Sequence, residues 1–211
     1  MSRSQERVEP HAEGEKGKDR YHHGDLRDSL IAAAYQLVIS KGAEQFTLAD
    51  ACRLAGVTTA APYKHFRDKQ EILEIVCERG FDEMLAAAQA AVASAGEGSL
   101  AAIQAIGLAY VSFARSKPNL FRLMFGQKPE THTAANVEQA GTGCFGYVIS
   151  QVAQFSAKSG STCDPRLVAL RLWTFVHGSA CLLIDEAYAK VAADLDVEQL
   201  ILSTSPKLLS A

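Results

Sequence analysis

Apolar residues recur at steps of three or four positions through almost the whole chain after residue 24. This is the spacing of a helix with one buried face. Alternation with a period of two, which marks a half-buried strand, is absent from the sequence, and β-branched residues are scattered. We therefore predict an all-α protein.

The first predicted helices are short and bounded by capping residues. Asp25 is expected to cap a first helix that ends at Gly42. A second helix begins at Thr47, where Asp50 completes a Thr-x-x-Asp capping pattern, and it ends at Gly56. A third helix is predicted over about residues 58–66, so three helices precede residue 68.

The helix predicted after Asp68 is longer. Glu71 stands at the capping-box position, three residues after Asp68. Small and apolar residues follow at helical spacing and predict a buried stripe: Leu73, Val76, Cys77, Gly80, Met84 and Ala88.

Glycines and prolines divide the remaining sequence. A break at 95–99 ends the helix after Asp68, and Pro118 suits the first turn of a short helix. The predicted elements are a helix over 100–116, a short helix ending near Gly126, a loop over 128–133, helices over about 134–158 and 165–191, and a last helix over 197–204 that Pro206 stops.

The helix predicted over 165–191 is apolar on nearly all sides. Such a helix must bury two faces. One face would fill the core and the other would pair with a second copy of the chain, which is the arrangement of a two-fold dimer. Since Pro206 shortens the last helix, we expect either a smaller dimer interface or one that rests mainly on residues 164–191.

Composition narrows the class of protein. The 211 residues are 48% hydrophobic and 21% charged, with a net charge of −3, as in soluble globular proteins. Residues 1–24 are polar and are expected to form a flexible arm whose end turns basic at Lys16, Lys18 and Arg20. The arm has no apolar core of a secretory signal. The uncharged stretch Leu172–Ile184 is shorter than the roughly 18 residues of a membrane span. We expect a cytoplasmic protein.

No pattern of catalytic or metal-binding residues stands out. The five cysteines include no C-x-x-C pair, so neither a disulfide framework nor a zinc ribbon is expected. The sequence contains no G-x-S-x-G, P-loop or H-E-x-x-H motif. His177 has no His, Asp or Glu three or four positions away. We predict no catalysis, no metal and no cofactor.

The segment over 47–69 predicts a helix-turn-helix. Gly56 permits the sharp turn between its helices, and Val57 is apolar where the turn must anchor to a core. Small residues at the start of the second helix let it approach a DNA groove, and Tyr63, Lys64 and His65 suit phosphate contacts. Residues 41–70 hold five Lys or Arg against three Asp or Glu, a local excess of +2 that leaves −5 on the rest of the chain.

These residues resemble the N-terminal domain of TetR-family transcriptional regulators. The resemblance covers about residues 21–75 and rests on Thr47, Ala55-Gly56-Val57, Tyr63-Lys64-His65-Phe66 and Lys69. It implies that Thr47, Tyr63, His65 and Lys69 contact phosphates. It also implies that Phe66 belongs to the core and that four residues face the bases or their sugar-phosphate edges: Thr58, Thr59, Ala60 and Ala61. Pro62 departs from the family pattern, because it removes an amide that would bond the capping carbonyl.

The second half resembles the family's effector domain through two short motifs. One is Phe121–Gly126, and the other is Trp173-Thr174-Phe175-Val176-His177-Gly178, which is similar to the Trp-x-x-x-His-Gly signature of one TetR subgroup. Either an effector pocket or the plain core could contain the apolar and aromatic residues here. The candidates for ligand binding are Tyr110, Phe113, Phe121, Met124, Phe125, Trp173 and His177.

The resemblance implies three parts: an arm over 1–24, a helix-turn-helix domain over 25–70, and a helical effector-binding and dimerisation domain over 71–211. It implies a homodimeric repressor that binds a palindromic operator and responds to a small hydrophobic or amphipathic effector. The alternative is an architectural DNA-binding protein without an effector. That alternative leaves the large apolar helical domain without a purpose.

Overall fold

The computed structural model describes residues 23–126 and 135–210, and side chains from residue 26 onward. Within these ranges the chain forms nine α-helices, one 3-10 turn and no strand. The all-α fold is therefore confirmed. The helices are α1 His23–Lys41, α2 Leu48–Ala55, α3 Lys69–Ala95, α4 Leu100–Ser116, α5 Pro118–Phe125, α6 Ala135–Ser159, α7 Pro165–Ile184, α8 Ala187–Val191 and α9 Val197–Leu209; the 3-10 turn is Pro62–Lys64.

Predicted capping residues begin two of these helices. The Thr47 hydroxyl accepts a hydrogen bond from the Asp50 amide at 3.2 Å at the start of α2. The Asp68 carboxylate accepts one from the Glu71 amide at 2.9 Å at the start of α3. Helix starts could be predicted because a cap satisfies amides only two or three residues away.

The first helix begins earlier than predicted. It starts at His23 rather than after Asp25, so the last two residues assigned to the flexible arm are helical. The rest of that arm, residues 1–22, and the loop predicted over 128–133 lie outside the described residues.

The predicted helix over 58–66 is also wrong in extent. Only Pro62–Lys64 is helical, in 3-10 geometry. Proline at 62 has no N–H for the Thr58 carbonyl, which instead accepts from the Ala61 amide at 3.0 Å. The bond closes three residues along the chain instead of four, so the segment is tighter than an α-helix.

The single helix predicted over 165–191 is two helices. The helix α7 ends at Ile184, Glu186 takes a left-handed backbone with φ 55°, and α8 follows. The Arg122 guanidinium donates to the Ile184 carbonyl at 3.1 Å and to the Asp185 carboxylate at 2.7 Å. A side chain from α5 therefore bonds a carbonyl left free where α7 ends.

The last helix does not stop before Pro206, contrary to the prediction, and α9 continues to Leu209. Proline at 206 leaves the Leu202 carbonyl without its usual amide partner. The Gln104 side chain on α4 donates to that carbonyl at 2.9 Å. A residue 98 positions away thus replaces the missing hydrogen bond, which the local sequence does not reveal.

The 27-residue α3 packs against α1, α4, α5 and α6. Its predicted stripe is buried: Leu73, Val76, Cys77, Gly80, Met84 and Ala88. One cluster of buried apolar residues extends from Leu30 in α1 to Ile201 in α9. The predicted division at residue 70 falls within the first turn of α3, so this helix belongs to both predicted domains.

By length and composition, α7 could cross a membrane, and it is the one helix of the described ranges that could. The core helix of a soluble protein meets the same criteria. Here α7 packs against α4, α6, α8 and α9.

Candidate DNA-binding surface and effector cavity

The turn between α2 and the 3-10 segment is built as the sequence predicts. Gly56 takes the left-handed conformation, with φ 69°, that an L side chain disfavours. The Val57 amide donates to the Cys52 carbonyl at 2.9 Å, which closes α2, and the Val57 side chain packs on the core. Thr58, the next residue, is exposed.

The nine predicted DNA contacts lie along this turn and its flanks. Tyr63 is the most prominent, with 67% of its surface exposed although it is large and aromatic. The exposed members are Thr47, Thr58, Thr59, Ala60, Tyr63 and Lys64, and the half-buried members are Ala61, His65 and Lys69.

Most positive charges near the turn are already paired. Lys41 and Arg53 both contact the Asp50 carboxylate, at 2.5 and 3.3 Å. The hydrogen bond from Lys41 lowers the pKa of Asp50 to about 2. Arg67 pairs with Glu71 at 3.1 Å.

Two cations of this region remain without a carboxylate partner among the described residues. Lys64 is exposed and forms no ion pair within the described ranges, and the Lys69 ammonium lies 5.5 Å from the centre of the Phe46 ring. These two side chains are free to bind anions such as DNA phosphates.

A buried aromatic side chain anchors the exposed residues Tyr63 and Lys64 to the core. Phe66 is buried, and the Arg27 guanidinium lies 5.3 Å from the centre of its ring. Pro62 is also buried. Because the residues on either side of Tyr63 and Lys64 are anchored, the turn is held at a defined position on α1.

A cavity of about 440 Å³ lies among the helices of the second half. Six helices line it: α3, α4, α5, α6, α7 and α9. Its walls are mostly aliphatic and aromatic, among them Phe81, Ile106, Phe145, Leu172 and Val176. Its size and apolar lining are typical of a small-molecule site, since such pockets measure roughly 300–1,000 Å³.

The structure separates the predicted ligand residues into two groups. Three of them, Tyr110, Phe125 and Trp173, line the cavity. The others lie outside its lining: Phe113, Phe121 and Met124 are buried in the core, and His177 lies behind the wall.

A second space of about 780 Å³ lies on the far side of that wall. It is a crevice between the α1–α2 loop, the start of α3, α5 and the end of α7. Phe125 lines both spaces, and its ring centre is 4.9 Å from that of His177. A thin aromatic wall thus separates the cavity from the crevice.

The polar atoms of the wall are linked to one another. The Tyr110 hydroxyl is hydrogen-bonded to His177 Nδ1 at 2.7 Å, and the Trp173 indole N–H donates to the same hydroxyl at 3.4 Å. Burial lowers the pKa of His177 and raises that of Tyr110. Both side chains are therefore neutral near pH 7.

Two family models match the chain. The model of bacterial regulatory proteins of the tetR family matches residues 30–76, and that of the tetracyclin repressor-like C-terminal domain matches residues 103–201. A protein of unknown function from Rhodococcus sp. RHA1 is 32% identical over 92% of this chain and 98% of its own, with a TM-score of 0.78. The chain belongs to the TetR family.

More distant structures share the fold of this TetR-family chain. A TetR/AcrR-family transcriptional regulator from Thermobifida fusca YX-ER1 is 20% identical, with a TM-score of 0.62 over 89% of this chain and 98% of its own. A TetR-family transcriptional regulator from Streptomyces coelicolor is 14% identical, with a TM-score of 0.64 over 88% of this chain and 79% of its own.

The comparisons confirm the family and its helix-turn-helix, and a DNA-binding transcriptional regulator follows from them. The Trp-x-x-x-His-Gly subgroup stays a prediction, because the matching C-terminal model carries only the general tetracyclin repressor-like description.

Most of the cavity lining was not predicted from the sequence. Phe81, Ile106 and Phe145 read as ordinary core positions at helical spacing. No local pattern distinguishes a residue that faces a cavity from one that faces another side chain, because the packing partner lies on another helix.

Proposed function

We propose that this TetR-family chain is a ligand-responsive repressor that binds a palindromic DNA operator as a homodimer. The main support is that one helix, α3, belongs to both candidate sites. Its first residue, Lys69, borders the exposed turn, and its middle residues Phe81 and Met84 line the cavity. A ligand that moves α3 would therefore move the DNA-binding surface.

The nine residues around the turn would make two kinds of contact with DNA, to phosphates and to base edges. Lys64 and Lys69 carry the unpaired positive charge, and with Thr47, Tyr63 and His65 they suit phosphate contacts. The small side chains of Thr58, Thr59, Ala60 and Ala61 permit close approach to base edges. Because Pro62 tightens the segment, it would present these residues on a short 3-10 turn.

The dimer would form on the outer face of α7. Leu167, Leu170 and Leu182 lie on this face and remain nearly half exposed. Gly178 lies between Leu170 and Leu182 along the helix, and a side chain added there would meet no neighbour within 4 Å. An apolar stripe with a small residue inside it suits close packing against the same stripe of a second copy.

A dimer also fits the geometry of DNA. One turn reads only a few base pairs, whereas two turns about 34 Å apart, or a multiple of that distance, read both halves of a palindrome. The exposed side chains of α9 are polar, among them Glu198, Gln199, Ser203 and Lys207. Most of the apolar contact between the two copies would therefore come from α7.

A second connection between the two sites runs through α5. Phe125, at its end, lines the cavity, and the Asn119 side chain, near its start, donates to the Ile39 carbonyl of α1 at 3.1 Å. Nearby, Tyr35 of α1 and Lys117 each donate a hydrogen bond of 2.5 Å to the Glu83 carboxylate of α3, which joins α1 to α3. Ligand binding has two routes to α1, and coupling between such sites is typically about 1–3 kcal/mol.

The deciding experiment selects bound DNA from a random pool and then measures affinity at two salt concentrations. We expect an enriched palindrome, bound by two chains, with affinity that falls steeply as salt rises. Repression follows if the operator overlaps a promoter and the protein lowers transcription from it in vitro.

Absence of any enriched sequence would contradict the operator proposal and favour an architectural DNA-binding protein. The cavity favours the regulator, because an architectural protein has no use for a ligand site that borders the helix carrying Lys69.

A further inference from the structure

The described lining of the cavity offers no positive charge to an anionic ligand. Among its described lining residues the one charged side chain is Glu138, which is exposed near the start of α6, and none is Lys or Arg. A carboxylate or phosphate that entered would lose its hydration without gaining an ion pair, and such desolvation costs several kcal/mol, on the order of the whole binding energy of a small ligand. Glu138 adds like-charge repulsion at the surface.

Among the described lining residues, no buried side chain carries a negative charge that could pair with an ammonium group. Apart from the exposed side chains of Glu138 and Thr142, the polar side-chain atoms of the described lining are the Tyr110 hydroxyl, the Trp173 indole N–H, the Ser205 hydroxyl and the Cys144 thiol, which already donates to the Phe81 carbonyl at 3.2 Å. Ser205 already donates to the Ile201 carbonyl at 2.6 Å. Of the described lining residues, only exposed Glu138 could pair with a cation, and water screens that interaction.

The Tyr110 hydroxyl keeps one hydrogen-bonding position open. A phenolic hydroxyl has one donor and two acceptor positions. The Trp173 N–H uses one acceptor position and His177 Nδ1 uses either the donor or the second acceptor position, depending on its tautomer. In either case the described residues leave one position of the hydroxyl for a ligand, and it serves a neutral group.

We propose that the cavity binds an uncharged, largely apolar molecule whose polar group, a carbonyl or a hydroxyl, hydrogen-bonds to the Tyr110 hydroxyl. This inference rests on the proposed function, because it names the chemical class of the effector. The apolar walls supply the affinity through buried area, and Tyr110 sets the orientation of the molecule.

The test compares probes that share one carbon skeleton: decanol, decanoate, decylamine and decane. Binding is followed at pH 7 by calorimetry and by the fluorescence of Trp173, which lines the cavity and is the chain's one tryptophan. We expect decanol to bind at least about tenfold more tightly than either charged probe. Equal or tighter binding of decanoate or decylamine overturns the proposal, as does failure of all four probes to bind.

A matched pair of variants tests the role of Tyr110. Tyr110→Phe is expected to weaken decanol by roughly 3- to 10-fold and to leave decane unchanged, since one hydrogen bond is removed. The control, Tyr188→Phe on α8, removes the same hydroxyl from a tyrosine outside the cavity lining and is expected to change neither probe. If Tyr110→Phe binds decanol as tightly as the unaltered protein, the proposed contact is wrong. The ranking of probes on the unaltered protein needs no variant to fold.

Operator binding in the presence of each probe separates this inference from the proposed function. If decanol binds and operator affinity stays unchanged, the class of ligand is supported and ligand-responsive repression by that class is contradicted. If decanoate binds tightly and releases DNA, the regulator is supported and the uncharged effector is overturned.

Discussion

The DNA-binding surface and the cavity are assembled in opposite ways. The surface uses nine residues within positions 47–69, whereas the cavity draws on residues from Phe81 to Ser205 on six helices. The surface exposes its polar groups, whereas the polar atoms of the cavity wall bond to one another. A site for a charged polymer needs little more than a well-placed turn, whereas a site that excludes water needs the whole helical domain.

Because each DNA-binding surface is small, we expect operator affinity to depend most strongly on the pairing of two copies. Leu170→Glu places a charge in the proposed apolar stripe of α7 and is expected to yield a monomer. Since two linked sites gain about 100- to 10,000-fold in affinity over one, operator binding should fall by a factor in that range. Sedimentation and fluorescence anisotropy measure the two effects.

Val191→Glu is the matched control, since Val191 is 83% exposed on α8 and lies outside the stripe. We expect it to remain a dimer with unchanged affinity. A dimeric Leu170→Glu variant would place the interface elsewhere.

The hydrogen bond from Gln104 to the Leu202 carbonyl is a contact between distant residues that we expect to stabilise α9 beyond Pro206. Gln104→Ala removes the donor to the half-buried Leu202 carbonyl and is expected to lower the free energy of unfolding by about 1–3 kcal/mol. Urea denaturation measures the change.

Pro206→Ala supplies a backbone N–H for the same carbonyl. In that background the cost of Gln104→Ala should shrink towards zero. Equal costs in both backgrounds would mean that Gln104 stabilises the fold in another way.

Because the DNA-binding surface is built from residues close together in the sequence, we expect each lysine to contribute to DNA binding independently. Lys64→Ala and Lys69→Ala should each weaken binding to all DNA sequences alike and reduce the slope of log affinity against log salt by about 0.9, if each lysine contacts one phosphate. Lys190→Ala, on α8, is the control and should leave the slope unchanged. A sequence-selective loss in either lysine variant would place that residue at a base edge.

The smallest expected effect is a pH dependence from His177. Burial lowers the pKa of His177 in the folded protein below its unfolded value of about 6.5. The unfolded chain therefore binds the proton first, and stability should fall as pH drops below about 6.5. Tyr110 and Cys181 contact the ring, and Arg122 and Asp185 share the crevice that His177 lines.

His177→Gln should flatten the decrease in stability between about pH 7 and pH 5, measured by urea unfolding. Identical pH profiles for the two proteins would show that His177 titrates alike in the folded and unfolded chain.

Helix starts and the turn could be predicted because their causes are local. Thr47 and Asp68 cap amides three residues away, and Gly56 takes the left-handed backbone that its lack of a side chain permits. Pro62 could be recognised as a departure for the same reason, although the extent of its effect, a 3-10 turn in place of a helix, is visible only in the structure.

Helix ends in the second half were predicted wrongly where distant side chains act on them. Arg122 on α5 bonds the end of α7, and Gln104 on α4 bonds the carbonyl that Pro206 leaves free in α9. The Arg122 contact lies where α7 ends, although the sequence predicts a helix that continues to residue 191. The Gln104 contact lies within α9, which continues to Leu209 although the sequence predicts that Pro206 stops it.

The sequence by itself determined the all-α class, the helix-turn-helix and the family, because periodicity, caps and the turn act between residues a few positions apart. Only the tertiary structure decided which aromatic residues line the cavity. It placed Tyr110, Phe125 and Trp173 at the wall, Phe113, Phe121 and Met124 in the core, and His177 behind the wall. The physical reason is that an apolar helix face is satisfied equally by a neighbouring side chain or by a ligand, and the relative positions of six helices determine which of them it meets.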